Sequence, residues 1–312
     1  MRRPHLTPVL ILLFRLLAIT EADPTKVLYT LTGMSGTFSS PAFPNPYPND
    51  YNATYTIMLP AGYTVHVYFP VFQVEQSYDR LYVYDGSDDT YPLIAQLTGN
   101  QSTSTIDSSG PFLTLVFMTD LTGQMDGFYG IYNAVKAGDA FIAQTECFPA
   151  IDQVGGFGIL FSPNFPDNYP DNYKCTWKMT AGEDQRVLLT FYALTTEAVY
   201  DVITLFDGPN MDVQHCPPIS GPMVNNTTKT LSLVSQAEYF TMVFSSDLTR
   251  NFSGFSAVYR YVSADSIHVA SDDTNSLVFP DVQVKPAPKP TPSLKYLHYL
   301  LRAHSNSTTS NH

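Results

Sequence analysis

Positive charge is what this chain has least of. Its 312 residues carry 16 Lys and Arg against 28 Asp and Glu, a formal net charge of −12, and charged residues of both signs make up only 14%. Binding a phosphate backbone needs dense positive charge, so nucleic acid is excluded as a partner. Between residues 23 and 135 ten acids are set against only Lys26 and Arg80. A surface of that balance attracts a cationic protein or a divalent metal. Long apolar runs are missing too. Beyond residue 22 nothing approaches the ~20 residues that cross a bilayer, since Leu294 to Leu301 is short and broken by Lys295 and His298; no transmembrane segment is expected. Extended 3.6-residue periodicity and helix caps are absent, which argues against a helical bundle. No HExxH or GxSxG motif occurs, and no histidine is spaced with a cysteine as a zinc pair. His66 lies in a strand pattern and reads as an outward polar residue, while His298 and His304 fall in the C-terminal part.

Aromatic residues at 13% and 24 prolines are plentiful, the mark of short strands joined by turns. They are also arranged twice. Ser39 to Tyr51, SSPAFPNPYPNDY, returns as FSPNFPDNYPDNY from Phe161 to Tyr173. Phe69 recurs as Phe191, and Glu75, Tyr78 and Asp79 recur as Glu197, Tyr200 and Asp201, all 122 positions on. Phe117 to Asp120 pairs with Phe244 to Asp247 at an offset of 127, so the second copy has gained five residues in between. One module is present twice. Its expected strands in the first copy are Thr54–Leu59, Thr64–Phe69, Arg80–Asp85, Pro92–Leu97, Leu113–Phe117 and Phe128–Val135. Val65, Val67 and Phe69 alternate with Thr64, His66 and Tyr68, the period of a half-buried strand. Leu113, Leu115 and Phe117 match Phe240, Met242 and Phe244 as inner-face residues. Turn signals at Asp85-Gly86 and Asp207-Gly208 complete the pattern of an antiparallel β-sandwich.

The division expected is a signal peptide over 1–22, a first module over 28–135, a linker over 136–146, a second module over 147–263 and a disordered Pro- and Ser-containing tail over 264–312. Arg2-Arg3, the apolar run Val9 to Ile19 and small residues before Asp23 carry the signal reading, although Arg15 interrupts the run. Lys285 to Pro292 reads as an extended polyproline spacer. Sequons at Asn52, Asn100, Asn225, Asn226, Asn251 and Asn306, mostly where turns are expected, agree with a secreted, extracellular glycoprotein.

SPAFPNPYPNDYNATY, YDRLYVYDG and FMTDLTGQMDGF in the first copy, and SPNFPDNYPDNYKCTW, YDVITLFDG and FSSDLTRNFSGF in the second, resemble the CUB domain family of extracellular and developmentally regulated proteins. The resemblance covers nearly all of residues 28–263 and implies an all-β fold of two antiparallel jelly-roll sandwiches that bind proteins and do not catalyse. It also implies a disulfide between Cys147 and Cys175, worth about 3 kcal/mol by loop closure. Thr25 and Ala53 stand at those positions in the first copy. Cys216 matches one half of a second family disulfide whose other half is Ala198 here, and its apolar and proline neighbours suggest a buried, unpaired thiol.

The resemblance further implies a calcium ion in each copy, up to two in all. Glu75, Asp79 and Asp120 would hold the first, and Glu197, Asp201 and Asp247 the second. Thr122 and Thr249 would add backbone carbonyls, and Tyr47 and Tyr169 would steady the glutamates. Where the family often has Asn after the carbonyl ligand, this chain has Gly123 and Arg250. Calcium chemistry suits such a set, because a hard cation takes six to eight oxygens and removes the repulsion among gathered carboxylates. Asp85 and Asp207, each before Gly, read as turn-formers. The function expected is recognition of an extracellular protein through its exposed Lys or Arg. Two alternatives stay open: glycan or lipid binding through Tyr78, Tyr82, Tyr84 and Tyr91, and carboxylate-dependent hydrolysis of glycosides.

Overall fold

The structure, a computed structural model, describes residues 26–143, 146–147, 151–153, 156–224, 230–268 and 283–284. Among them the only helical piece is a 3-10 turn, Ala264–Ser266. The first copy consists of β1 (Lys26–Leu31), β2 (Ser35–Ser39), β3 (Asn52–Met58), β4 (Tyr63–Val74), β5 (Arg80–Tyr84), β6 (Leu93–Leu97), β7 (Gly99–Asn100), β8 (Thr105–Asp107), β9 (Phe112–Met118) and β10 (Gly127–Lys136). They form two sheets, β1-β3-β9-β5-β6 and β2-β10-β4-β7, with β8 also on β4. The second copy consists of β11 (Ile151–Gln153), β12 (Phe157–Phe161), β13 (Lys174–Thr180), β14 (Gln185–Thr195), β15 (Val202–Asp207), β16 (Val213–Gln214), β17 (Pro222–Val224), β18 (Leu231–Val234), β19 (Tyr239–Ser245) and β20 (Gly254–Ser263). Its sheets are β11-β12-β20-β14-β17, with β18 also on β14, and β13-β19-β15-β16.

The expected inner-face residues are where the two-residue period puts them. Leu113, Leu115 and Phe117 of β9, and Phe240, Met242 and Phe244 of β19, are fully buried. Across from them stand Phe69, Phe72 and Phe128 in one sandwich and Phe191 and Phe255 in the other, mostly in edge-to-face contact. Aromatic side chains of this size carry most of the burial that holds a sandwich closed. A bulge interrupts β4 between Tyr68 and Val71 against β10, and β14 between Phe191 and Ala193 against β20.

The copies differ at their entering edge. Cys147 and Cys175 form the expected disulfide in the second, with Cα atoms 5.6 Å apart. Without cysteines there, the first copy ties down its leading segment with a six-residue ladder, β1 on β3, in which Val27 stands opposite Ala53. That pairing is parallel, an exception to the antiparallel expectation.

β4 is not half-buried: His66 and Tyr68, expected to face outward, are 6% and 8% exposed. The second copy and the connecting segment cover that face. Tyr68, Val71, Tyr129 and Ile131 pack with Phe161, Tyr192, Ala193 and Val258 in one apolar cluster shared by both copies. Around it, the Tyr192 hydroxyl donates to Asp126 Oδ2 at 2.7 Å, Ser256 Oγ donates to the Pro70 carbonyl, and an Arg260 guanidinium nitrogen donates to the Pro44 carbonyl at 3.3 Å. His66 bonds Asp107 through Nδ1 at 2.8 Å and is stacked by Phe141 of the connecting segment at 4.0 Å. Phe141 of this segment therefore packs against the first copy, while its neighbours 136–140 and Ile142 are exposed.

Candidate metal centre

Each trio of acids sits where three strands end together. Glu75 follows β4, Asp79 precedes β5 and Asp120 follows β9; Glu197, Asp201 and Asp247 hold the same places on β14, β15 and β19. In each trio, ligand-capable oxygens from the three residues lie within 4.8 Å of one another. The last aspartate of each trio lies 41 or 46 positions beyond its nearest partner in the chain, and the sandwich brings them together.

A buried tyrosine organises each trio. The Tyr47 hydroxyl donates to Asp79 Oδ2 at 2.6 Å and accepts the Glu75 backbone N–H at 2.9 Å. Asp79 Oδ1 accepts the Asp120 N–H at 2.8 Å, and Asp120 Oδ1 accepts the Thr122 N–H at 2.9 Å. The second copy repeats every link: Tyr169 to Asp201 at 2.6 Å, Glu197 N–H to Tyr169 at 3.0 Å, Asp247 N–H to Asp201 at 2.7 Å and Thr249 N–H to Asp247 at 2.9 Å. Burial and then the neighbouring aspartate raise both tyrosines well above the usual phenol range, so both stay donors. Asp79 and Asp201 are 0% and 1% exposed, yet each keeps two donors, the condition for burying a charge at tolerable cost.

The glutamates are not so well provided. Glu75 Oε2 and Glu197 Oε2 are buried and have no hydrogen-bond partner in the protein. Burial first, and then Asp120 and Asp79, push the Glu75 carboxyl above its ordinary range; burial, Asp247 and Asp201 do the same to Glu197. Buried oxygens without donors, beside two more carboxylates, make an all-oxygen set with neither nitrogen nor sulfur. It fits a hard divalent cation. Either trio could hold a metal.

The loop after Asp120 passes so close to Glu75 that a Cβ on Gly123 would lie 2.1 Å from Glu75 Oε2, and Gly123 has φ +74°. Arg250, at the same place in the second copy, adopts φ +59° and extends its guanidinium to 3.7 Å from Glu197 Oε1. Around the two trios stand exposed apolar residues that charge and motif give no reason to pick out: Leu121 and Met125 in the first copy, Val199, Leu248 and Phe252 in the second.

The other candidates fall elsewhere. Asp85 Oδ1 accepts the Ser109 N–H, in keeping with a turn role, at the opposite end of β5 from Asp79. Asp207 is more than a turn-former, because it accepts both the Gln236 N–H and His215 Nδ1 and its side chain is 6% exposed. Of the four tyrosines considered for sugar stacking, Tyr78 and Tyr91 are exposed and Tyr82 and Tyr84 half-buried on β5. Cys216 is unpaired as expected but only half-buried; burial, then Asp207, raises its thiol and keeps it protonated. Asn52 opens β3 and Asn100 closes β7 instead of lying in turns, and the Asn251 amide donates to Asp171 at 3.1 Å. Asn225, Asn226, Asn306, the leader over 1–22 and the polyproline stretch lie outside the described residues. No described helix is long and apolar enough to cross a membrane.

Two sandwiches of this topology, repeating one motif set, define a class of tandem all-β module, and comparison with known proteins gives the family. A family model described as the CUB domain matches residues 28–132 and 154–259, more than half of the chain, and the chain belongs to that family. It is 30% identical to cubilin of Homo sapiens over 255 residues, which cover 79% of this chain and 7% of cubilin. It is 26% identical to tolloid-like protein 2 of Homo sapiens over 270 residues, 73% of this chain and 26% of that protein. The chain thus spans a small part of the curated relatives it matches. Among solved structures it is similar to the CUB1-EGF-CUB2 domains of rat MASP-1, at 21% identity and a TM-score of 0.32, covering 75% of this chain and 99% of that one. It is also similar to the MASP-1 CUB2 domain bound to Ca2+, at 28% identity and a TM-score of 0.31, covering 34% of this chain and 96% of that one.

Proposed function

We propose that this protein is a secreted, non-catalytic recognition protein that takes one calcium ion in each CUB domain and binds an extracellular protein through that partner's Lys or Arg. The observation that carries the reading is the twice-built trio with one buried glutamate oxygen left without a donor. Glu75, Asp79 and Asp120, and Glu197, Asp201 and Asp247, would supply the carboxylates, and Thr122 and Thr249 their carbonyls. When bound, the ion supplies positive charge that offsets the repulsion among the acids and fixes their orientation. Tyr47 and Tyr169 hold Asp79 and Asp201 in place, so the metal-bound carboxylates gathered around them are presented without rearrangement. A carboxylate so held accepts a charge-assisted hydrogen bond from an ammonium or guanidinium group. Leu121 and Met125 give the aliphatic stem of that side chain an apolar surface to lie on.

Glycoside hydrolysis fits the same acids poorly, since Asp79 and Asp201 are sealed from any substrate and tied to tyrosine. The test is calcium titration of the full chain by calorimetry, followed by binding to immobilised poly-L-lysine. Two calcium equivalents, polylysine binding abolished by chelator, and its loss in Asp79→Asn/Asp201→Asn at unchanged folding are expected. Polylysine binding indifferent to chelator and to both substitutions would overturn the mechanism.

A further inference from the structure

The two trios are alike in every internal hydrogen bond but not in what stands over them. In the second copy Arg250 places a guanidinium nitrogen 3.7 Å from Glu197 Oε1. Glu197 is 8% exposed, and its Oε2 is the buried oxygen with no donor. In the first copy the same loop position is Gly123, where the close approach of Glu75 leaves no room even for a Cβ. Arg80, the one nearby base there, is turned away and donates to the carbonyls of Ser77 and Tyr78. Among the described residues the first trio has no cation of its own, and the second has one.

We infer that Arg250 is a built-in counter-cation which weakens calcium binding in the second domain and occupies the place of a partner's basic side chain, so that the two domains are unequal and the first is the one that recruits the partner. This rests on the calcium reading given above. A guanidinium is positive at every pH a protein meets, so the second trio is partly compensated before any metal arrives and gains less from it. An incoming divalent ion also meets a like charge, carried on a side chain that is 79% exposed. For a unit charge a few ångström from a divalent ion in a largely aqueous setting, reduced by salt, the affinity penalty is roughly three- to tenfold. The same guanidinium already lies against Glu197, so a second cation would have to displace it. Nothing in the first domain resists in this way.

Full-length proteins with a single intact site give the test, with Asp201→Asn isolating the first site and Asp79→Asn the second, each titrated with calcium by calorimetry. The Asp201→Asn protein should bind calcium more tightly. Adding Arg250→Gln to Asp79→Asn should tighten the second site three- to tenfold and let it retain polylysine. Arg250→Lys should leave it weak, which separates charge from loop shape. Equal affinities that do not respond to Arg250→Gln would overturn the inference while leaving the calcium reading intact. If neither single-site protein binds calcium, both fall together. Unchanged disulfide content and unfolding temperature in each variant guard against misfolding as the cause.

Discussion

Replacing Tyr47 with Phe removes one oxygen and leaves everything else in place, which makes it the sharpest probe of how the first trio is assembled. The ring stays in the core, edge-on to Phe117 with centroids 5.2 Å apart. What disappears is the 2.6 Å bond to Asp79 and the acceptor for the Glu75 N–H. A hydrogen bond to a charged, buried group contributes about 1.5–3 kcal/mol, and a stranded backbone donor costs about 1 kcal/mol more. Asp79 retains only the Asp120 N–H as a donor. The sum is about 3 kcal/mol, equivalent to an opening equilibrium raised about a hundredfold. Native-state hydrogen exchange on the full chain without calcium reads it directly, as an acceleration of that order for the slowest amides of β4 and β9. β14 and β19 of the second domain serve as the internal reference, and Tyr169→Phe should reverse the two. An acceleration below about threefold would refute the view that the tyrosine hydroxyl carries the trio.

Two further outcomes are expected. Glu75 and Glu197 have carboxyls raised above the ordinary value of 4.5, so in metal-free protein their contribution to stability is present below that value and lost as pH rises through the raised one. Calcium competes with those protons, and the calcium-induced rise in unfolding temperature, followed by calorimetry, should shrink as pH falls toward 4.5 and shrink less in Glu75→Gln. At the contact between domains, Tyr192→Phe leaves Asp126 without the hydroxyl that reaches it at 2.7 Å. It should cost about 1–2 kcal/mol of coupling, seen as partial separation of the two unfolding transitions in a denaturant titration, whereas a single unaltered transition would count against a coupled pair.

Strand alternation and repeated motifs fix the sandwich from the chain alone. Phe240, Met242 and Phe244 point inward because side chains two apart share a face, and that local rule holds in any context. The Cys147–Cys175 bridge and the members of both trios were legible through family resemblance, since their order along the chain is preserved even though their contacts are not local. Tertiary structure alone decided the rest. His66 and Tyr68 have an outward period but are covered, because burial also depends on what docks against a sheet, and a strand pattern carries no information about its neighbour's face. Arg250 could be seen from sequence as a departure at one loop position. Only the fold showed its guanidinium beside Glu197, because the meeting of residues 53 positions apart is set by how three strand ends converge.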